Sequence, residues 1–324
     1  MSKTVAVQND TTGRQGGREP EQAWGRLVMV EKSGDGPALL RGESLWVLTW
    51  RRFRCHRLAV VGIGILLAIV LVAVFAPWLV PHSPLEVDVP NAYAAPSLAH
   101  PLGQDNLGRD VLSRLIYGAR VSMAVGLVAV GIYLTIGTIL GSLAGYYRGP
   151  VDAAIMRFTD AVLSFPSFMI ILAIVAAVGP SLYNVMIAIG VLGWPATCRL
   201  VRAQFLSLRE SDFVLAARCL GIPDRRIILV HILPNAVGPL LIVATFGIAG
   251  AILTEAGLSF LGLGVQPPTP SWGNMLFAAQ TLRVLEEKPW LWLPPGIAIA
   301  LAVLSINFIG DALRDALDPR TIIK

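Results

Sequence analysis

Lysine is scarce in this chain. Lys3, Lys32, Lys288 and Lys324 are all it has, and none follows a glycine. A GxxxxGK[ST] loop, which needs glycine-rich backbone to cradle phosphates and a lysine to pair with them, is therefore excluded. Cysteine is scarcer still. Cys55, Cys198 and Cys219 lack CxxC spacing, so neither a disulfide framework nor a zinc site is indicated. The histidines, His56, His82, His100 and His231, are scattered. No HExxH motif or GxSxG elbow supports an intramembrane hydrolase. Charge itself is missing over long stretches: only 15% of the 324 residues are charged, while 55% are hydrophobic. The windows 58–80, 121–147, 161–198, 232–254 and 289–310 contain no Asp, Glu, Lys or Arg.

Those windows define the class. About 20 apolar residues span a hydrocarbon core, so each window is one transmembrane helix, except 161–198, which is long enough for two. A break at Gly179-Pro180-Ser181 divides it, and the expected fold is an all-α membrane protein with six transmembrane helices. The first 44 residues are polar and glycine-containing, with no apolar core of a signal peptide, and read as a disordered cytoplasmic tail. Lys and Arg set the orientation. With both termini cytoplasmic, only Arg109, Arg114, Arg120, Arg283 and Lys288 lie outside. The net charge of +5 thus reports topology and contact with inner-leaflet lipids. No basic stripe with interleaved aromatics points to nucleic acid.

Residues 45–98 comprise an expected interfacial helix, the first span and the start of an outer segment. Trp46 and Trp50 stand among Arg51, Arg52, Arg54 and Arg57, a mixture suited to the membrane surface or to ordinary positive-inside flanking. The remainder, 99–324, holds five helices. Its start, 108–119, reads as an amphipathic helix with Val111, Leu112, Leu115, Ile116 and Ala119 on one face. Arg109, Asp110, Ser113 and Arg114 face away. In the second span Gly137, Gly141 and Gly145 form two overlapping GxxxG steps, which suit close helix packing within the chain or at a dimer seam. Glu255 falls near the outer end of its helix, Asp311 closes the last one, and mid-span regions hold no charge. An ion-coupled carrier normally needs charge there. Neutral residues such as Asn184, Ser305 and Asn307 could line a pathway or bond a neighbouring helix.

The loop 207–236 is the most informative part. Ser207 and Glu210 have capping-box spacing, and Asp212 puts negative charge at a helix start. Phe213, Ala216, Ala217 and Leu220 follow at i, i+3, i+4 and i+7, an apolar stripe whose alanine pair lets another surface come close. Gly221 suits a left-handed stop, and Pro223 and Asp224 suit the opening of a second helix. Arg225 and Arg226 offer charge, and Leu233-Pro234 marks re-entry into the membrane. A charged helix pair between two apolar runs, in a chain with no nucleotide motif of its own, reads as a docking surface for another protein.

This stretch resembles the EAA loop of ABC importer membrane subunits, whose pattern is Glu-Ala-Ala, three residues, Gly, nine residues, Ile, one residue, Leu-Pro. Ala216, Ala217, Gly221, Leu233 and Pro234 match it, while Leu215 and His231 replace the Glu and the Ile. Blocks at 44–62, 100–122, 255–276 and 305–320 are similar to the second membrane subunit of oligopeptide and dipeptide permeases. The resemblance implies the transmembrane domain of a type I ABC importer, with 207–236 as its coupling loop. It also implies a second homologous permease subunit, two cytoplasmic ATPase subunits that hold ATP and Mg, and an extracytoplasmic substrate-binding protein. This chain itself would be non-catalytic and bind no cofactor or metal, in a bacterial or archaeal plasma membrane. Peptides are the implied cargo; nickel or glutathione on similar subunits, and an ATP-independent carrier or channel, are the alternatives.

Overall fold

The computed structural model describes residues 56–317, which are helix, turn and loop apart from one isolated bridge between Gln104 and Asp110. The expected tail at 1–44 and the interfacial helix at 45–57, save its last two residues, lie outside that range. In chain order the helices are α1 Arg57–Leu79, α2 Val111–Tyr147, α3 Gly149–Leu163, α4 Ser167–Val178 and α5 Leu182–Leu208. Then follow α6 Asp212–Cys219, α7 Asp224–Phe260, α8 Trp272–Ala278, α9 Leu282–Glu287 and α10 Pro289–Leu317. Five of them, α1, α2, α5, α7 and α10, are long and apolar enough to cross a bilayer, and α3 with α4, bent by 78° at their junction, makes six if the pair is counted as one span. The molecule is a multi-pass membrane protein, and its regular structure among the described residues is all helical.

The third span, expected before the break at Gly179-Pro180-Ser181, is not one helix: α3 ends at Leu163 and α4 begins at Ser167. Pro166 has no N–H to donate and sits at the N-cap of α4, so the helix cannot run through it. The 12 residues of α4 reach only about 18 Å, short of a ~30 Å core, so α4 can span it only together with α3. Because α3 also carries Asp152 and Asp160, it needs partners, and it finds them on α5 in Arg202 and Arg199. At Gly179 the backbone turns with φ +103°, and Ser181 caps α5 by accepting the Asn184 N–H at 3.1 Å.

The glycine stripe of α2 packs within the chain, against α5. A Cβ added at Gly141 would lie 2.5 Å from the Cys198 carbonyl oxygen, and one at Gly145 2.5 Å from Phe205 Cβ. Small residues there let two backbones approach, which is how helices associate when lipid offers no hydrophobic push. Gly141→Leu is expected to cost about 1–3 kcal/mol of stability by overpacking, read as earlier thermal unfolding of the solubilised chain. Gly131→Leu, where an added Cβ meets nothing within 4 Å, should be near neutral.

The connection from α1 to α2 folds down on the end of the bundle away from α6. Consequently the polar face expected to point away from 108–119 is buried: Arg109, Asp110, Ser113 and Arg114 all lie inside. Asp105 answers the charge, accepting from Arg109 Nε at 2.7 Å and lying 3.4 Å from Arg114 Nε, while Arg114 Nη1 donates to the Pro84 carbonyl. The 108–119 segment leads directly into the second span as the capped entry of α2, with Asp110 accepting the Ser113 N–H at 2.7 Å. Glu255 is fully buried as well. The hydroxyls of Ser259 and Ser122 donate to it at 2.7 and 3.3 Å, tying α7 to α2.

Candidate functional site

At the other end of the bundle, α5 runs through Ser207 and ends at Leu208. The capping box expected between Ser207 and Glu210 therefore does not form, because Ser207 is still inside a helix. Ser211 occupies the N-cap position of α6 and Asp212 its first turn. Glu210 pairs instead with Arg148 at the start of α3, whose guanidinium holds the exposed carboxyl below the usual carboxylate range.

α6 divides its residues sharply. Val214 and Ala217 are buried, packed with Tyr146, Val201, Phe205, Ile227, Ile232 and Ala236 from α2, α5 and α7. Phe213, Leu215 and Leu220 are exposed, Leu220 at 80%, and Ala216 and Asp212 lie on the exposed side too. The stripe expected to face outward as one unit is thus split, with Phe213, Ala216 and Leu220 outside and Ala217 inside. Ala217 is small for a reason internal to the chain: it lets the helix lie close on the bundle.

The end of α6 is set by hydrogen bonding. Gly221 takes φ +73°, its N–H reaches the Arg218 carbonyl at 2.9 Å, and the Ile222 N–H reaches the Ala217 carbonyl at 3.2 Å. That pair of bonds is a Schellman stop, with Ile222 folding back on the buried cluster. Pro223 is the N-cap of the next helix and Asp224 its first residue. Leu233-Pro234, expected to mark re-entry into the membrane, does not begin a separate element. Instead Asp224–Phe260 continues as α7, with a π-helical stretch at Ile227–Ile232 directly before Leu233. A proline ring clashes with the carbonyl four residues back, and the wider π turn absorbs Pro234 without stopping the helix. Arg225 and Arg226 are exposed on the first turn, and His231 is half-buried.

Sequence reasoning missed the latch beneath. Tyr146, at the end of α2, donates its hydroxyl to Asp224 and takes the guanidinium groups of Arg218 and Arg209 against its ring at 5.1 and 5.6 Å. Arg209 also donates to the Tyr146 carbonyl. The one signal available was an aromatic pair, Tyr146-Tyr147, closing an apolar run. Mid-bundle, a cavity of about 440 Å³ opens among α2, α4, α5 and α7. Tyr133, Gly193, Thr197, Phe246, Gly247 and Thr254 lie on its wall, which includes no charged side chain. Asn184 and Ser305 do not line it; Asn184 donates to the Gly179 carbonyl, and Ser305 is buried beside Gly62 of α1.

Residues 137–323 match the model of a family described as the binding-protein-dependent transport system inner membrane component. Residues 44–96 match the N-terminal transmembrane domain of oligopeptide transport permease C. The dipeptide transport system permease protein DppC of Alkalihalophilus pseudofirmus is 45% identical over 277 residues, 86% of this chain and 90% of that one. A Brucella abortus protein provisionally named a peptide transport system permease is 46% identical over 279 residues, covering 86% and 93%. Among solved structures, a chain of the inward-facing MetNI methionine ABC transporter aligns with a TM-score of 0.52 at 19% identity. That alignment covers 63% of this chain and 97% of that one, and bears on the fold alone.

Proposed function

The chain belongs to the family of binding-protein-dependent transport system inner membrane components, and from that premise we propose that it is a permease subunit of an ATP-driven importer, forming half of the pathway for di- and oligopeptides. One observation carries the coupling half of this reading: α6 presents Asp212, Phe213, Ala216 and Leu220 to the outside while Val214 and Ala217 fix it to three spans. The α6 end is then cytoplasmic, and the exposed face seats in a cleft on an ATPase subunit. Arg225 and Arg226 offer charge at the rim of that contact. Gly221, Pro223 and Asp224 make the reversal, and Leu233 and Pro234 carry the chain onward into α7.

Force applied to α6 has a direct route inward. Its buried side touches the end of α2 through Tyr146, the end of α5 through Phe205, and the start of α7 through Ile227 and Ile232. A docked ATPase pair that closes on ATP and Mg would displace α6, and the spans would tilt as packed units rather than deform. A second homologous permease subunit would complete the pathway, and an extracytoplasmic binding protein would deliver cargo at the opposite end. Peptide cargo is supported by the names of the relatives at 45–46% identity. The uncharged wall of the mid-bundle cavity imposes no single charge on what passes.

Two measurements test this together. The purified chain alone in liposomes should hydrolyse no ATP and take up no labelled dipeptide. With its ATPase subunits, second permease and binding protein, uptake should appear and depend on ATP. Turnover or uptake by the isolated chain would contradict the proposal.

A further inference from the structure

Two histidines far apart in sequence meet at the end of the bundle away from α6. His82 follows α1 by three positions, His100 lies in the connecting segment, and Asp110 caps α2. One ligand atom from each lies within 4.8 Å of the other two. The rings of His82 and His100 are 4.5 Å apart between centroids, and His100 Nδ1 is 2.9 Å from Asp110 Oδ1. The three border a cavity of about 120 Å³, and Glu86 and Asp88 line the same space. His82 Nδ1 is buried and, among the described residues, has no hydrogen-bond partner.

We propose that His82, His100 and Asp110 bind one divalent first-row transition ion, zinc being the best fit. Two imidazoles and a carboxylate match the donor set that zinc takes in three-ligand sites and that magnesium or calcium does not favour. Ligand atoms around a tetrahedral zinc, with bonds of 2.0–2.1 Å, stand roughly 3.3 Å apart. The His100–Asp110 pair is already near that separation, and inward movement of the His82 ligand atom, which lies within 4.8 Å of both, closes the set. The second oxygen of Asp110 accepts the Ser113 N–H, which orients that carboxylate, and the backbone N–H of His82 donates to the Ser113 hydroxyl at 3.3 Å, which holds the His82 main chain beside it. A cavity of this size also leaves room for a water or the Glu86 carboxylate as fourth ligand. The ion would pin the segment after α1 to the start of α2, a resident role separate from the mid-bundle cavity and independent of the transport reading.

The test uses the full-length, untagged chain in detergent micelles, stripped with chelator and titrated calorimetrically with zinc chloride, with magnesium chloride as control. One zinc per chain is expected, with no magnesium isotherm. His82→Gln and His100→Gln should each weaken zinc binding by about tenfold or more. Because a substitution here could loosen the segment, X-ray absorption of the wild-type one-to-one zinc complex supplies an independent reading: two imidazole nitrogens with oxygen completing the shell. No zinc binding, an isotherm unchanged in both variants, or a shell with sulfur or fewer than two imidazoles would overturn the proposal.

Discussion

Replacing Gly221 by glutamate is expected to abolish uptake while the chain still reaches the membrane in wild-type amounts. Two effects separate at this position. The left-handed backbone, φ +73°, costs any side chain with a Cβ about 1–2 kcal/mol. Yet an added Cβ meets nothing within 4 Å, so no clash inside the chain accompanies it. Against a typical stability of about 5–15 kcal/mol, the strain alone leaves the protein folded. Glutamate adds a carboxylate at the corner of a surface that must be covered by another protein. Burying it unpaired costs several kcal/mol, which corresponds to on the order of a hundredfold or more in docking. Gly221→Asn, which tolerates the left-handed region, should keep most uptake, and Gly221→Ala should fall between. Uptake by Gly221→Glu at the level of Gly221→Asn, in cells with no other copy, would remove the docking role from this corner.

Asp105→Ala is expected to produce the largest loss of stability. The Asp105 carboxylate accepts the N–H groups of Leu107 and Arg109 at 2.9 and 3.0 Å, and it pairs with the guanidinium groups of Arg109 and Arg114. Both arginines are buried, at 6% and 3% exposure. Removing the one carboxylate between them leaves two like charges inside the protein with little water. Breaking a buried pair by deleting one partner typically costs about 3–5 kcal/mol, and here the cation count makes the upper end the better expectation. Thermal unfolding of the solubilised chain should shift down by many degrees, with early proteolysis in the segment between α1 and α2. Asp105→Asn keeps a side-chain oxygen to accept the Leu107 and Arg109 N–H groups and should lose less. A melting temperature unchanged in Asp105→Ala would mean that the arginines are solvated and that the buried network does not hold this end together.

The spans were legible because the membrane imposes a rule that a chain must write in consecutive residues: charge-free runs of about 20. Their ends were less so. The helix of α2 begins at Val111, ten residues before its charge-free window, because Arg114 and Arg120 are tolerated at its entry, the first by burial against Asp105. Amphipathicity told that 108–119 has two faces but not that both are covered, Val111 and Ala119 on one and Arg109, Asp110, Ser113 and Arg114 on the other. The clue was Asp105 four residues before Arg109, meaningful only once the segment folds back. On α6, Phe213-Ala216-Leu220 and Val214-Ala217 are both valid helical stripes one position apart, and only the bundle selects the second for burial. Pro234 was read as the point of re-entry into the membrane; that the helix opening at Asp224 runs through it on a π turn is announced by no residue pattern. Gly221 was legible because a left-handed stop leaves few residues to choose from.

The account stands on the outward face of α6 being the seat of the ATPase. A photoactivatable side chain placed singly at Phe213, Ala216, Leu220 or Val214 in the assembled transporter tests that face directly. Crosslinks to an ATPase subunit are expected from the first three positions, shifting in yield when ATP is added. None is expected from Val214, which is buried among Tyr146, Phe205 and Ile227. Adducts from Phe213, Ala216 and Leu220 that contain no ATPase subunit, or equal capture from Val214, would contradict it.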